Sequence, residues 1–312
     1  MAVSLLPWFG FLGFITILLI IDLGVLNRKD HIISPREAII WSCVWIGLAL
    51  LFNLGIFVLK GSQAGLEFFT GYLIEKSLSL DNIFVFVLIF KYFSLSPHLY
   101  HRVLFWGVLG AILMRLVLIF AGLELLERFS WVFYLFGAIL VYSGIQMAKQ
   151  QEQLNFSSHN KFINFIKRFI PITKDYVENH FFIKEQGRLT ATPLFLVLLT
   201  IEISDLVFAV DSIPAILAVT LDPFIVYTSN IFAILGLRSL FFLIANLLPR
   251  FYYLKHALSV VLIFVGCKMF LHQAYKVPIW GSLGIILLIF LIAIIASIRR
   301  KTLEGEKLFS LF

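Results

Sequence analysis

The chain has 312 residues, of which 61% are hydrophobic, 16% aromatic and only 14% charged. That is more apolar than a soluble core requires and excludes a water-soluble fold. Its formal charge of +7 comes from 25 Lys and Arg against 18 Asp and Glu. No basic groove interleaved with aromatics accompanies it, so a nucleic-acid partner is not expected.

A hydrocarbon layer about 30 Å thick takes roughly 20 apolar residues per helical crossing. Apolar runs of that length recur near 8–26, 39–59, 66–90, 103–123, 131–148, 193–220, 224–248, 257–272 and 279–298. The runs are continuous rather than alternating, so they predict nine transmembrane helices and not barrel strands. The first run follows MAVSLLPW, with no basic region and no small-residue cleavage site, and reads as a retained helix rather than a signal peptide. Asp22 and Glu67 fall near predicted helix ends, where a headgroup position accounts for them. Cys43 and Cys267 lie inside apolar runs and give no redox or metal signal.

Counted across nine crossings, eighteen Lys and Arg fall on one side and three, Lys60, Arg128 and Lys276, on the other. The positive-inside rule then predicts an outside N-terminus and a cytoplasmic C-terminus. The long polar interval 149–192 separates a first membrane half, 1–148, from a second, 193–298, followed by a tail, 299–312. Within it, KFINFIKRFI predicts an interfacial helix, with Phe162, Phe165, Ile166 and Phe169 inward and Lys161, Lys167 and Arg168 toward headgroups.

The halves repeat. DNIFV at Asp81 matches DLVFA at Asp205, AILMR ending at Arg115 matches AILGLR ending at Arg238, and GIQM at Gly144 matches GCKM at Gly266. The separations are 34 and 29 residues in the first set and 33 and 28 in the second. Helices 3–5, at about 66–148, and helices 6–8, at about 193–272, therefore form two three-helix repeats. Three crossings apart, the two units run in opposite senses, as inverted repeats of secondary transporters do, with the substrate site near the midplane.

Glu75, Lys76, Asp81, Arg115, Glu202, Asp205, Asp211, Arg238 and Lys268 all lie inside predicted spans. Each would cost about 2.5–3.5 kcal/mol at a helix centre if left alone, so they must pair or bind something. The candidate metal ligands are Glu75, Asp81, Asn82, Glu202, Asp205 and Asp211, with Ser77, Ser79, Ser204 and Ser212 interleaved. Such an oxygen-rich set suits Mn2+, Ca2+ or Mg2+ rather than Cu(I) or structural zinc. The seven histidines fall in loops or at helix ends, where surface roles explain them. Lys76, Arg115, Arg238 and Lys268 are candidates for charge compensation or gating.

At about 100° per residue Glu202 and Asp205 share a helix face, whereas Asp211 lies about 180° from Glu202 and Glu75 about 120° from Asp81. Aiming all of them at one ion predicts broken helices at positions three and six. Pro214 supplies the break in the sixth, and SLSLDN is a poor helix stretch in the third.

The stretch EKSLSLDN from Glu75 to Asn82 and the stretch EISDLVFAVDSIPA from Glu202 to Ala215 resemble the TerC family of integral membrane proteins. The resemblance runs from helix one to helix nine. It implies export of manganese from the bacterial cytoplasm across the inner membrane, a role in metal or alkaline-stress homeostasis, and dependence on the six candidate ligands. Nothing in the residues suggests chemistry on a tellurium oxyanion, despite the family's naming from tellurium resistance.

Outward movement of a divalent cation against an inside-negative potential costs about 4.6 kcal/mol per 100 mV. The chain has no GxxxxGK[ST] motif, so proton antiport is the expected source, with carboxylates exchanging metal for protons. No resident cofactor is expected; the expected partners are the metal ion, protons and lipid. The competing readings are a non-transporting accessory protein and an intramembrane acid–base enzyme, the latter disfavoured by the lack of an aspartyl-protease pattern.

Overall fold

The structure is a computed structural model that describes residues 5–21, 35–129, 131–149, 171–173, 175–177, 179–185, 188–244, 253–271 and 278–309. Its helices are α1 Leu5–Ile21, α2 Pro35–Lys60, α3 Ser62–Tyr92, α4 Pro97–Arg128, α5 Val132–Lys149, α6 Pro193–Leu217, α7 Pro223–Leu235, α8 Leu237–Ile244, α9 Leu254–Leu271 and α10 Ile279–Phe309. They cover the nine expected crossings, with α7 and α8 sharing the seventh. Six described spans are long and apolar enough to cross a membrane, and two shorter apolar helices correspond to α1 and α9. α3 is 31 residues long but carries Glu67, Glu75, Lys76, Asp81 and Lys91. The chain is an all-α, polytopic integral membrane protein.

The outer surface has the polarity of a lipid-facing one. On α2, Ile39, Ile40, Leu50, Leu51, Leu54, Val58 and Leu59 are exposed, whereas Ala38, Ser42, Ala49 and Asn53 are buried together with Trp45 and Ile56. Small and polar residues inside with branched aliphatics outside is the pattern of helices packed in lipid. α7 is the central helix, buried at every position from Ile225 to Leu235. It starts sharply because Pro223 occupies its first turn and the Asp222 carboxylate accepts from the N–H groups of Phe224 and Ile225.

The contacts show the repeats running in opposite senses. Glu67 of α3 meets Thr220 just beyond α6, Gly71 meets Ile216, and Asn82 meets Asp205. Each advance on α3 is an equal retreat on α6, so the two are antiparallel, with the repeat aspartates Asp81 and Asp205 at the centre of their register. α5 and α9 are likewise antiparallel: Gly144 packs on the Ser259 carbonyl, and Gly266 packs on the Gly137 carbonyl. Those two contacts exchange when each residue is replaced by its repeat counterpart, so a local two-fold axis passes between the helices in the register of the sequence repeat. The remaining pairs follow suit, with α3 parallel to α7 and α4 parallel to α6.

The helices expected to be broken are not. α3 and α6 run without interruption. In α3 the hydroxyls of Ser77 and Ser79 donate back to the carbonyls of Leu73 and Glu75, so the poor helix formers satisfy themselves on their own helix. In α6 Pro214 sits in the last turn, where the helix ends at Leu217 in any case. The break falls instead in the seventh crossing, at Gly236, whose N–H bonds to the carbonyl of Ile234 rather than continuing the four-residue ladder.

Between α5 and α6 the described residues form a hairpin, β1 Phe182–Glu185 with β2 Arg188–Ala191, paired antiparallel from Phe182–Ala191 to Glu185–Arg188, with Ile172 bridging to Ala191. It lies in the interval read from sequence as a linker, and two residues, Gln186 and Gly187, connect its strands. The interval is anchored to the membrane helices. Tyr176 donates to the Phe93 carbonyl beyond α3 at 2.8 Å, Arg102 of α4 sits 5.4 Å over the Phe181 ring, and Phe182 packs on Phe195 of α6. Burial pushes the Tyr176 hydroxyl up to about 12, so it remains a donor at any physiological pH. The interfacial helix expected at 161–170 lies outside the described residues, as does Asp22.

A Cβ at Gly144 would meet Ile263 Cγ1 at 2.7 Å and the Ser259 carbonyl at 2.8 Å, while one at Gly284 would meet nothing. Gly144→Ala should therefore lower stability by about 1–3 kcal/mol, and Gly284→Ala should not. Thermal unfolding of the purified variants in detergent checks the difference.

Candidate cation site at the repeat interface

Charged residues of three helices and a polar residue of a fourth meet at Arg115, in the middle of α4 and 1% exposed. Its guanidinium pairs with the Glu75 carboxylate of α3 through Nη1. Its Nη2 and Nε reach the two oxygens of Asp205 on α6 at 3.3 and 3.5 Å. Nη1 also donates to Ser212 of α6 at 3.0 Å and to Asn230 Oδ1 of α7 at 3.1 Å. Asn82 of α3 donates to Asp205 Oδ1 at 3.1 Å. A planar five-donor fork suits this task, because it can bridge two carboxylates from different helices while its remaining N–H groups find neutral acceptors.

The positions follow from local sequence. Glu75 and Asn82 are seven residues apart, two helical turns, and so line one stripe of α3; Asp205 and Ser212 have the same spacing on α6. The antiparallel register of the two helices then sets Asn82 beside Asp205 and Glu75 level with Ser212. Thr70, Thr200, Ser204 and Ser229 bond to carbonyls of their own helices, which lets hydroxyl side chains line the interface without unmet donors. Not every polar atom is met. Glu75 Oε2, Asn82 Oδ1 and Asn230 Nδ2 are buried and make no hydrogen bond among the described residues.

Of the six candidate ligands, Glu75, Asn82 and Asp205 come together here. Glu202 lies on the same side of α6, its half-buried carboxylate fitted against Gly110 of α4, where a Cβ would fall 2.0 Å from Oε1. Asp211 turns the other way and accepts from Ser143 of α5 at 2.6 Å. Asp81 is on α3, and its side chain lies outside the described residues. No group of three Asp, Glu, His or Cys side chains converges among the described residues. The candidate compensating charges also part. Arg115 is at the centre, Arg238 is buried in the first turn of α8, Lys268 on α9 is within electrostatic reach of Glu67, and Lys76 points at the break by Gly236.

Two participants were not singled out from sequence. Asn230 was signalled only by the polar triplet Thr228-Ser229-Asn230 inside an apolar span, and Gly110 by nothing but the need of Glu202 for room.

Residues 60–304 match the family described as the integral membrane protein TerC family. The chain belongs to the TerC family. This TerC chain is 48% identical over 294 residues to a membrane protein of Myxococcus xanthus, STKORF319, covering 94% of this chain and 92% of that one. It is 46% identical over 315 residues to a protein of Photorhabdus laumondii whose name proposes a membrane-bound redox modulator, Alx, covering 97% and 98%. The protein of the same name in Escherichia coli is 45% identical over 290 residues, 90% of each chain. No solved structure matches the TerC chain.

Breaking a buried ion pair by removing one partner is costly because the other charge is left uncompensated. Arg115→Met should destabilise the TerC protein by about 3–5 kcal/mol. Adding Glu75→Gln and Asp205→Asn to it should restore much of the loss. Unfolding midpoints of the single, double and triple variants in detergent measure that coupling.

Proposed function

We propose that this TerC protein is a secondary transporter that exports a divalent metal cation, with Mn2+ the expected cargo, by exchange for protons. The observation that carries the reading is the pair of carboxylates, Glu75 from one inverted repeat and Asp205 from the other, held in the interior of the membrane protein on a single guanidinium. Structural ion pairs tend toward charge balance, but here one positive group faces two acids. The donors are all oxygens apart from the amide and guanidinium nitrogens, which suits a hard or borderline divalent ion. Glu75 Oε2 and Asn82 Oδ1, buried and unmet, are acceptors such an ion could use.

On this reading Arg115 stands in for the cargo in the empty state and gives up its carboxylates as the ion enters. Ser212 and Asn230, which touch Nη1 alongside Glu75, keep the guanidinium solvated when it does so. The excess negative charge of the empty site is balanced by a proton, which the incoming ion expels. Glu202, on the side of Asp205 nearer the basic end of α6, is the first acid an ion from that side meets; Asp81, the repeat counterpart of Asp205, completes the set. The basic-residue asymmetry supports an N-terminus outside and a C-terminus in the cytoplasm, and the bacterial relatives support the inner membrane as the location. The relatives' redox-modulator name supports a second reading, an accessory protein in stress or metal homeostasis that does not itself transport.

Asp205→Asn or Asp81→Asn should abolish metal resistance and raise cell-associated Mn2+ to the level of cells lacking the protein, at unchanged abundance in the membrane. Full resistance in either variant removes that residue from the path. In inverted vesicles, metal uptake should need a proton gradient of the right sign. Uptake that persists with the gradient collapsed and the potential clamped contradicts antiport, and no uptake by well-inserted protein favours the accessory role.

A further inference from the structure

We propose that Lys76 is a tethered cation filling a monovalent-cation site made by the carbonyl end of α7, and that it holds the seventh crossing in its broken form. The inference does not depend on what the Arg115 cluster carries. It starts from a lysine whose ammonium meets a backbone carbonyl. Lys76 follows Glu75 in sequence, and successive residues on a helix point about 100° apart. Glu75 therefore turns to Arg115 while Lys76 turns to α7. Among the described residues no carboxylate lies within ion-pair distance of the Lys76 ammonium. Its hydrogen bond goes to a backbone oxygen, the carbonyl of Ala233 in the last turn of α7, at 3.2 Å.

The place it occupies is built for a cation. α7 stops at Leu235, and Gly236 turns the chain before α8 begins at Leu237. The end of a half-helix carries the negative pole of its dipole and carbonyls no longer committed to the ladder. In discontinuous membrane helices such carbonyl ends coordinate the small cations that couple transport. Here an ammonium, a monovalent cation that brings its own tether, occupies that position. Gly236 makes room for it, since a Cβ there would fall 2.6 Å from the ammonium nitrogen. The break is braced from the other side by α2, where Trp45 packs on Gly236 and Ser42 donates to Ser239, whose own hydroxyl donates to the Gly236 carbonyl.

The consequence is that the chain supplies internally what other broken-helix proteins take from solution. Free Na+ or K+ has no purchase on the native protein, but it can enter once the ammonium is gone.

Thermal unfolding of the purified full-length protein, in detergent free of divalent metal, tests this with salt as the variable. Lys76→Ala should melt well below the native protein in choline chloride. Its midpoint should climb with the logarithm of added NaCl or KCl, as for a ligand that binds only the folded form. The native protein and Lys76→Arg should show no difference between choline and the alkali cations. Lys76→Ser, which leaves the same space and adds a ligand oxygen, is the second variant and should respond at least as strongly. If both small variants melt identically in choline, sodium and potassium, or if neither accumulates in membranes prepared in alkali salt, the carbonyl end of α7 does not accept a free cation and the proposal is wrong.

Discussion

A guanidinium in the interior of a membrane protein must be surrounded by acceptors, and Arg115 obtains them from three helices other than its own. Glu75 comes from α3, Asp205 and Ser212 from α6, and Asn230 from the central helix α7. Taking such a charge out of water costs several kcal/mol, and only good geometry with full hydrogen bonding offsets it. The cluster therefore acts as a constraint on everything packed around it. A shift of α6 along α3 by a single residue would turn Asp205 and Ser212 away and leave Arg115 with one carboxylate instead of two.

The same cluster joins the two repeats. Arg115 and Glu75 belong to the first, while Asp205, Ser212 and Asn230 belong to the second. Because the repeats run in opposite senses, the antiparallel pairing of α3 with α6 is matched by that of α5 with α9, whose small residues allow close backbone approach. The seventh crossing carries the local discontinuity, and Asn230 and Gly236 lie less than two turns apart on either side of the last turn of α7.

Much of this was legible in the sequence because charge is expensive in lipid. Asp81 and Asp205, and Arg115 and Arg238, stood out in register for that reason, and with them the inverted repeat and the count of nine crossings. The break was misplaced because Pro214 and SLSLDN look disruptive when read one residue at a time. Serine hydroxyls that bond to their own helix remove the disruption in α3, and a proline in a last turn disrupts nothing. Gly236 gave no comparable warning, since glycine is common in membrane helices. Asp211 could be assigned to the opposite face of α6 from angle alone, but not to Ser143, whose helix is distant in sequence. The hairpin at 182–191 was legible in principle from FIKE and RLTA flanking Gln186-Gly187. The polar composition of the interval, read alone, points to a linker instead.

The most direct test of the cluster as a cargo site is binding rather than transport. Mn2+ titrated into the purified protein and followed by the loss of its free paramagnetic resonance signal should show saturable binding that releases protons into weakly buffered solution. Asp205→Asn should lose both the binding and the release while keeping its helical content. Equal Mn2+ binding by native protein and Asp205→Asn, with equal proton release, would contradict the assignment of the cargo to the carboxylates held by Arg115.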